Sequence, residues 1–272
     1  MTQHKDIGRL APDEIEGFVR QQIAQLPNPK HRHGSLPRCL MLTDDRLRDV
    51  AGSLNTLVGG IAHVPAENLK CAPHGFQARD EIELHSAAAR PFLSDGQRQQ
   101  LQDWWLVNKR GAGTPVWDSV VSAEIQGQTG LILIEAKAHS RELHRDGKKP
   151  GDPTNHQRIG DAIREASEGL NASCPGFALS RDSHYQLANR FAWGWKLASM
   201  GVPVVLVYLG FLEAEEMQSN TSDPIRDDVH WNVILKDYCA GQVPEDAWDR
   251  EFDINGTPFF ALRRTIRIDL PE

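Results

Sequence analysis

Apolar residues fill every position from Leu131 to Ile134, so a strand here turns an apolar side chain to each face of its sheet. Leu131 and Leu133 share one face with Glu135 and Lys137, while Ile132, Ile134, Ala136 and Ala138 share the other. A strand apolar on both faces is a central one, covered on both sides. An apolar segment precedes it, and the polar residues around Gly127 and Gln128 predict a tight turn between the two. An even-numbered turn centred there puts Asp118 opposite Lys137, with Glu135 on the adjoining diagonal. An odd-numbered turn would break that register.

The rest of the pattern alternates helices and strands. Helices are expected over residues 11–26, 44–57, 94–108, 155–170, 183–200 and 224–238. Asp13, Glu14 and Glu16 suit the start of the first. Ser94 or Asp95 caps the third, and Gly201 stops the fifth. Residues 81–84 and 202–209 read as strands, and Asn255-Gly256 as a hairpin turn. This order predicts an α/β fold, a central mixed sheet with helices on both faces. Residues 1–90 are expected to form a partly helical N-terminal elaboration, and residues 91–272 the main domain with its own C-terminal elaboration.

The chain has 272 residues, 40% of them hydrophobic, enough for a substantial core. A net charge of -7 argues against a nucleic-acid packaging protein but not against an enzyme with a local metal or basic surface. The opening residues lack the apolar core of a signal peptide, and the longest apolar run, 201–212, is too short to span a bilayer. Cys39, Cys71, Cys174 and Cys239 form no close pairs and read as reduced thiols of a cytoplasmic protein. His31, His33 and Cys39 match no compact zinc spacing.

The candidate chemistry lies in the predicted hairpin. Two carboxylates, Asp118 and Glu135, with a lysine two residues on, can hold a divalent cation beside a water. In isolation, Glu135 and Lys137 read equally well as a surface ion pair. With the elements placed, however, the chain resembles the PD-(D/E)XK nuclease superfamily, the restriction-endonuclease-like fold. The residues that carry the resemblance are Pro115-Val116-Trp117-Asp118, Glu135-Ala136-Lys137 and Tyr185-Gln186-Leu187-Ala188-Asn189-Arg190. It is also similar to bacterial proteins with a WD…EAKAH…YQxANR pattern. Two residues separate Pro115 from Asp118, a departure from the literal motif.

The resemblance implies a restriction-endonuclease-like α/β/α core and metal-dependent hydrolysis of nucleic acid, DNA in the first instance. Asp118, Glu135 and the Ala136 carbonyl would hold Mg²⁺ or Mn²⁺, and Lys137 would orient the attacking water. Gln186 would complete the catalytic set, with Tyr185 and Arg190 meeting the substrate. Arg141 and Lys148, in the polar loop 139–154, would hold the nucleic-acid backbone. Nucleases of this fold often act as homodimers to cut both strands. The alternative is the same fold used as a binding or assembly module without catalysis.

Overall fold

The computed structural model describes residues 8–218 and 223–271. The extreme N-terminus, read above as lacking a leader, lies mostly outside them. The strands are β1 (Ala62–His63), β2 (Cys71–Ala72), β3 (Ile82–Glu83), β4 (Val116–Trp117), β5 (Ser119–Ile125), β6 (Gln128–Lys137), β7 (Val204–Leu212), β8 (Arg250–Ile254) and β9 (Thr257–Arg267). The α-helices are α1 (Pro12–Ala24), α2 (Ser35–Leu42), α3 (Val50–Val58), α4 (Asp95–Trp105), α5 (Pro153–Ser173), α6 (Tyr185–Ser199) and α7 (Asp228–Cys239).

The fold is α/β. One mixed sheet runs in the order β1-β5-β6-β7-β9-β8, with β2 also paired to β5. The hairpins β5/β6 and β8/β9 are antiparallel, while β6/β7 and β7/β9 are parallel. Parallel neighbours need covered crossovers, and α5 and α6 supply the one between β6 and β7.

The two faces of β6 and β7 enter different cores, as their alternation requires. Leu131, Leu133, Val204 and Leu206 pack with α4, α5, α6 and α7. Ile132, Ile134, Val205 and Val207 pack with α1, α2 and α3. The described part of the N-terminal segment, residues 8–90, therefore supplies one helical layer of the sheet, together with β1 and β2. No helix among the described residues is long and apolar enough to cross a membrane, and all four cysteines are free and buried.

Two local expectations change, and one element was not anticipated. The helix expected from residue 44 starts at Val50, because Asp49 caps it by accepting the Gly52 N–H at 3.0 Å. The helix expected from residue 224 starts at Asp228, capped by Asp227, while Pro224 and Ile225 form isolated bridges to His139 and Leu212. The stretch holding Cys39 forms α2, a short helix whose Cys39 thiol faces the core; His31 and His33 are exposed.

Candidate active site

The hairpin turns on two residues, Gln126 and Gly127, with φ of 50° and 77°. Two left-handed residues give the turn whose twist matches that of paired strands. Its centre lies one residue earlier than the polar pattern suggested, which moves the register by two. Ser119 pairs with Ile134, so the ladder, continued by one residue, sets Asp118 opposite Glu135. The expected Asp118–Lys137 opposition is thus corrected. A two-residue shift keeps every side chain on its face, so Asp118, Glu135 and Lys137 still converge.

Asp118 occupies a bend between β4 and β5. On one side lies the β5/β6 ladder. On the other, β4 pairs with β3, with Trp117 opposite Ile82. Continuing that register sets Glu81 opposite Asp118 as well. One acid therefore stands at the junction of two ladders, facing a second acid across each. Glu81 carries no hydrogen bond or ion pair among the described residues; the residue keeps a solvent-exposed edge, while its carboxyl is largely surrounded by protein. Sequence reasoning missed it. The strand over 81–84 was expected, but no partner was assigned to it, so nothing tied Glu81 to Asp118.

Glu135 is fully buried and both its carboxylate oxygens are engaged. Lys137 Nζ donates to Oε1 and Arg190 Nε to Oε2. Arg190 in turn lies 4.5 Å from the centre of the Trp117 ring and donates to the Val116 carbonyl at 2.7 Å and to the Asn189 side chain at 2.9 Å. One guanidinium thus joins α6, β4 and β6. Asp118 uses one oxygen to accept the Ala136 N–H at 2.7 Å. Glu142, from the following loop, turns inward and accepts the Ala138 N–H at 2.5 Å.

The charges are unequal. Three carboxylates, Asp118, Glu135 and Glu81, meet two cations, Lys137 and Arg190. Burial opposes ionisation of Glu135, but Arg190 and then Lys137 outweigh it and hold its carboxyl below the ordinary range. Burial, and then the Glu135 charge, push Asp118 up to about 8. Glu81 is also raised, by burial and then by Glu135. Burial works against the Lys137 ammonium, yet Glu135 and Asp118 keep its pKa above the ordinary value. The protons go where the anionic surplus is.

The other predicted residues fall into two groups. Gln186 sits one turn before Arg190 on α6, half-buried, and its Oε1 is buried without a partner. Tyr185, at the first position of α6, packs against the core, and burial pushes its phenol up to about 12. Arg190, expected to meet substrate, instead spends its fork on Glu135, Val116 and Asn189. In the loop, Lys148 lies 5.9 Å from the Tyr185 ring centre and Arg141 is exposed. No hydrogen bond or ion pair joins either one to the carboxylates. Arg145 pairs with Asp237.

The donor set suits a hard divalent cation: carboxylate oxygens only, on opposed backbone positions, with a surplus of negative charge that keeps one carboxyl protonated. One oxygen of Asp118 and both of Glu81 are unclaimed. Among the described residues no three His, Cys, Asp or Glu side chains are already gathered as ligands. Both oxygens of Glu135 are instead taken by Lys137 and Arg190. Compared with protein-family models, curated proteins and solved structures, the chain matches none.

Proposed function

We propose that this protein is a metal-dependent phosphodiesterase acting on nucleic acid, DNA in the first instance. The observation that supports it is the junction at Asp118, where acids from two ladders face one another with Lys137 on the same face. Asp118 and Glu135 would hold Mg²⁺ or Mn²⁺, with Glu81 or the Ala136 carbonyl as a further oxygen ligand. The ion, when bound, supplies Lewis-acid polarisation of the phosphate and a water of lowered pKa.

The chain's own groups do the rest. Asp118 must release its proton to act as a ligand. Lys137, freed from Glu135, can donate to the attacking water or to a non-bridging phosphate oxygen as negative charge builds there. Arg190, held on Trp117 and on the Val116 carbonyl, keeps the second Glu135 oxygen in place. The free Gln186 oxygen is available to a water. A homodimer would bring two such sites to the two strands, and four reduced, buried thiols suit the cytoplasm.

The test is cleavage of a panel of single-stranded, double-stranded and branched DNA and RNA, with metals varied. Cleavage should require Mg²⁺ or Mn²⁺ and disappear in Asp118→Ala, Glu135→Ala and Lys137→Ala proteins that remain folded. Equal residual cutting in all three variants would sink the reading. The saturation of Glu135 by two cations favours the second reading, a nuclease-like fold used for binding alone. Failure to bind Mg²⁺ or Mn²⁺ even with DNA present would select it.

A further inference from the structure

A cavity of about 580 Å³ lies among Arg48, Asp49, Asn68, His74 and Gln77. None of the residues assigned above to the candidate active site lines it. Two of the three acids in its wall have side-chain partners, and the third caps a helix. Asp44 receives two hydrogen bonds from the Arg46 guanidinium, at 2.6 and 2.8 Å, and the Phe76 N–H at 2.9 Å. Asp45 holds His74 Nε2 at 2.7 Å. Asp49 caps α3.

Arg48 is not matched. Its guanidinium makes no hydrogen bond or ion pair among the described residues, and its Nε is buried. Arg32, Arg98, Arg158 and Arg263 also carry an unpaired Nε, but each bonds through its terminal nitrogens. Burial depresses the Arg48 pKa with no acid to restore it, although an arginine stays charged. A half-buried, unpaired guanidinium is costly, and such groups in folded proteins answer to a water, an ion or a ligand.

We propose that this cavity is a phosphate subsite, in which the Arg48 guanidinium receives an anionic phosphate group. The planar fork of arginine matches phosphate oxygens in pairs. Asn68 and Gln77 supply amides.

The cavity also leads toward the carboxylates. Leu69, His74 and Ala78 line both it and a second cavity, of about 400 Å³, which continues to Asp80 and Ile82, the neighbours of Glu81. Ala78 and Glu81 are three residues apart, roughly 10 Å of extended chain at most. The wall of the cavity thus comes within about 10 Å of Glu81 along the chain, and we assign as the source of the phosphate a nucleic-acid strand whose scissile phosphate lies at Asp118 and Glu135. This choice of source rests on the phosphodiesterase reading. The phosphate subsite itself does not.

The test titrates wild type and Arg48→Gln, in metal-free buffer, with inorganic phosphate and separately with a short single-stranded oligonucleotide. Arg48→Gln should weaken phosphate binding by about tenfold or more, the loss of one charge-assisted contact. In phosphate-free buffer the variant should melt no lower than wild type, because an uncompensated cation has gone; a merely structural arginine would cost stability. Absence of millimolar phosphate binding to wild type, or equal binding by both proteins, overturns the proposal. If metal-dependent cleavage persists in that case, the phosphodiesterase reading still stands. Loss of phosphate binding without loss of oligonucleotide affinity refutes the strand as source and leaves a free phosphate or mononucleotide.

Discussion

Replacing Asp118 by Asn should stabilise the metal-free protein, and increasingly so as pH rises. In the folded chain the Asp118 carboxyl titrates at about 8, raised by burial and by Glu135. Unfolded, it titrates near 3.9. Between those values the folded state keeps a proton that the unfolded state has released, so stability falls as pH rises through the window. At about 1.4 kcal/mol per pH unit, the ceiling is roughly 6 kcal/mol. Asp118 keeps some contact with water and Lys137 and Arg190 can adjust toward it, so about 1–3 kcal/mol should be realised. Asn retains the shape and the acceptor for the Ala136 N–H but carries no charge. Glu135 acts in the opposite sense: its lowered carboxyl adds stability that is lost only as pH falls below the ordinary carboxylate range. It therefore leaves the Asp118 window unmasked. Urea unfolding or calorimetry from about pH 5 to pH 9, with chelator present, should show the variant melting higher. At about 2–4 °C per kcal/mol the gap is several degrees near pH 8. A gap that stays constant or narrows with rising pH would refute the electrostatic account.

Three further outcomes follow from the same geometry. Millimolar Mg²⁺ should raise the melting temperature of wild type near pH 8 and leave Asp118→Asn unmoved, measured by calorimetry with and without chelator. Arg190→Met strands the second oxygen of Glu135 and should cost about 3–5 kcal/mol; combined with Glu135→Gln, the loss in urea titrations should fall short of the sum. Gly210 lies beside Lys137 in the β6/β7 register, and a Cβ there would come within 2.9 Å of the Trp231 ring. Gly210→Ala should accordingly cost about 1–3 kcal/mol, read in the same titrations.

What the sequence revealed was the part written in alternation. Leu131 to Ala138 announced a strand buried on both faces, and β6 lies in the middle of the sheet with separate cores on either side. Ser94, one of the two expected caps, does cap α4, and Asn255-Gly256 marked the β8/β9 turn. The site was legible as far as face but not as far as register. Turn centres differing by one residue place the same side chains on the same side, and only the left-handed pair Gln126-Gly127 decides between them. Glu81 was illegible for a different reason. Its proximity comes from a two-residue ladder joining segments 33 residues apart, too short to leave a periodic trace. Arg190 was expected to face substrate on the strength of the resemblance. Its actual partners, Glu135, Val116 and Trp117, lie on other elements and leave no signal in the local spacing.

The bend at Asp118 also sets where this chain can change length. Residues between Leu84 and Thr114 leave the β3/β4 ladder and return to it, so the excursion can grow or shrink while Glu81 and Asp118 stay opposed. The three positions Trp117, Asp118 and Ser119 have no such freedom. Trp117 belongs to one ladder and Ser119 to the next, and one residue inserted between them would turn the carboxylate to the opposite face. Divergent versions of this fold should therefore vary freely in the long excursion and keep the spacing across the bend.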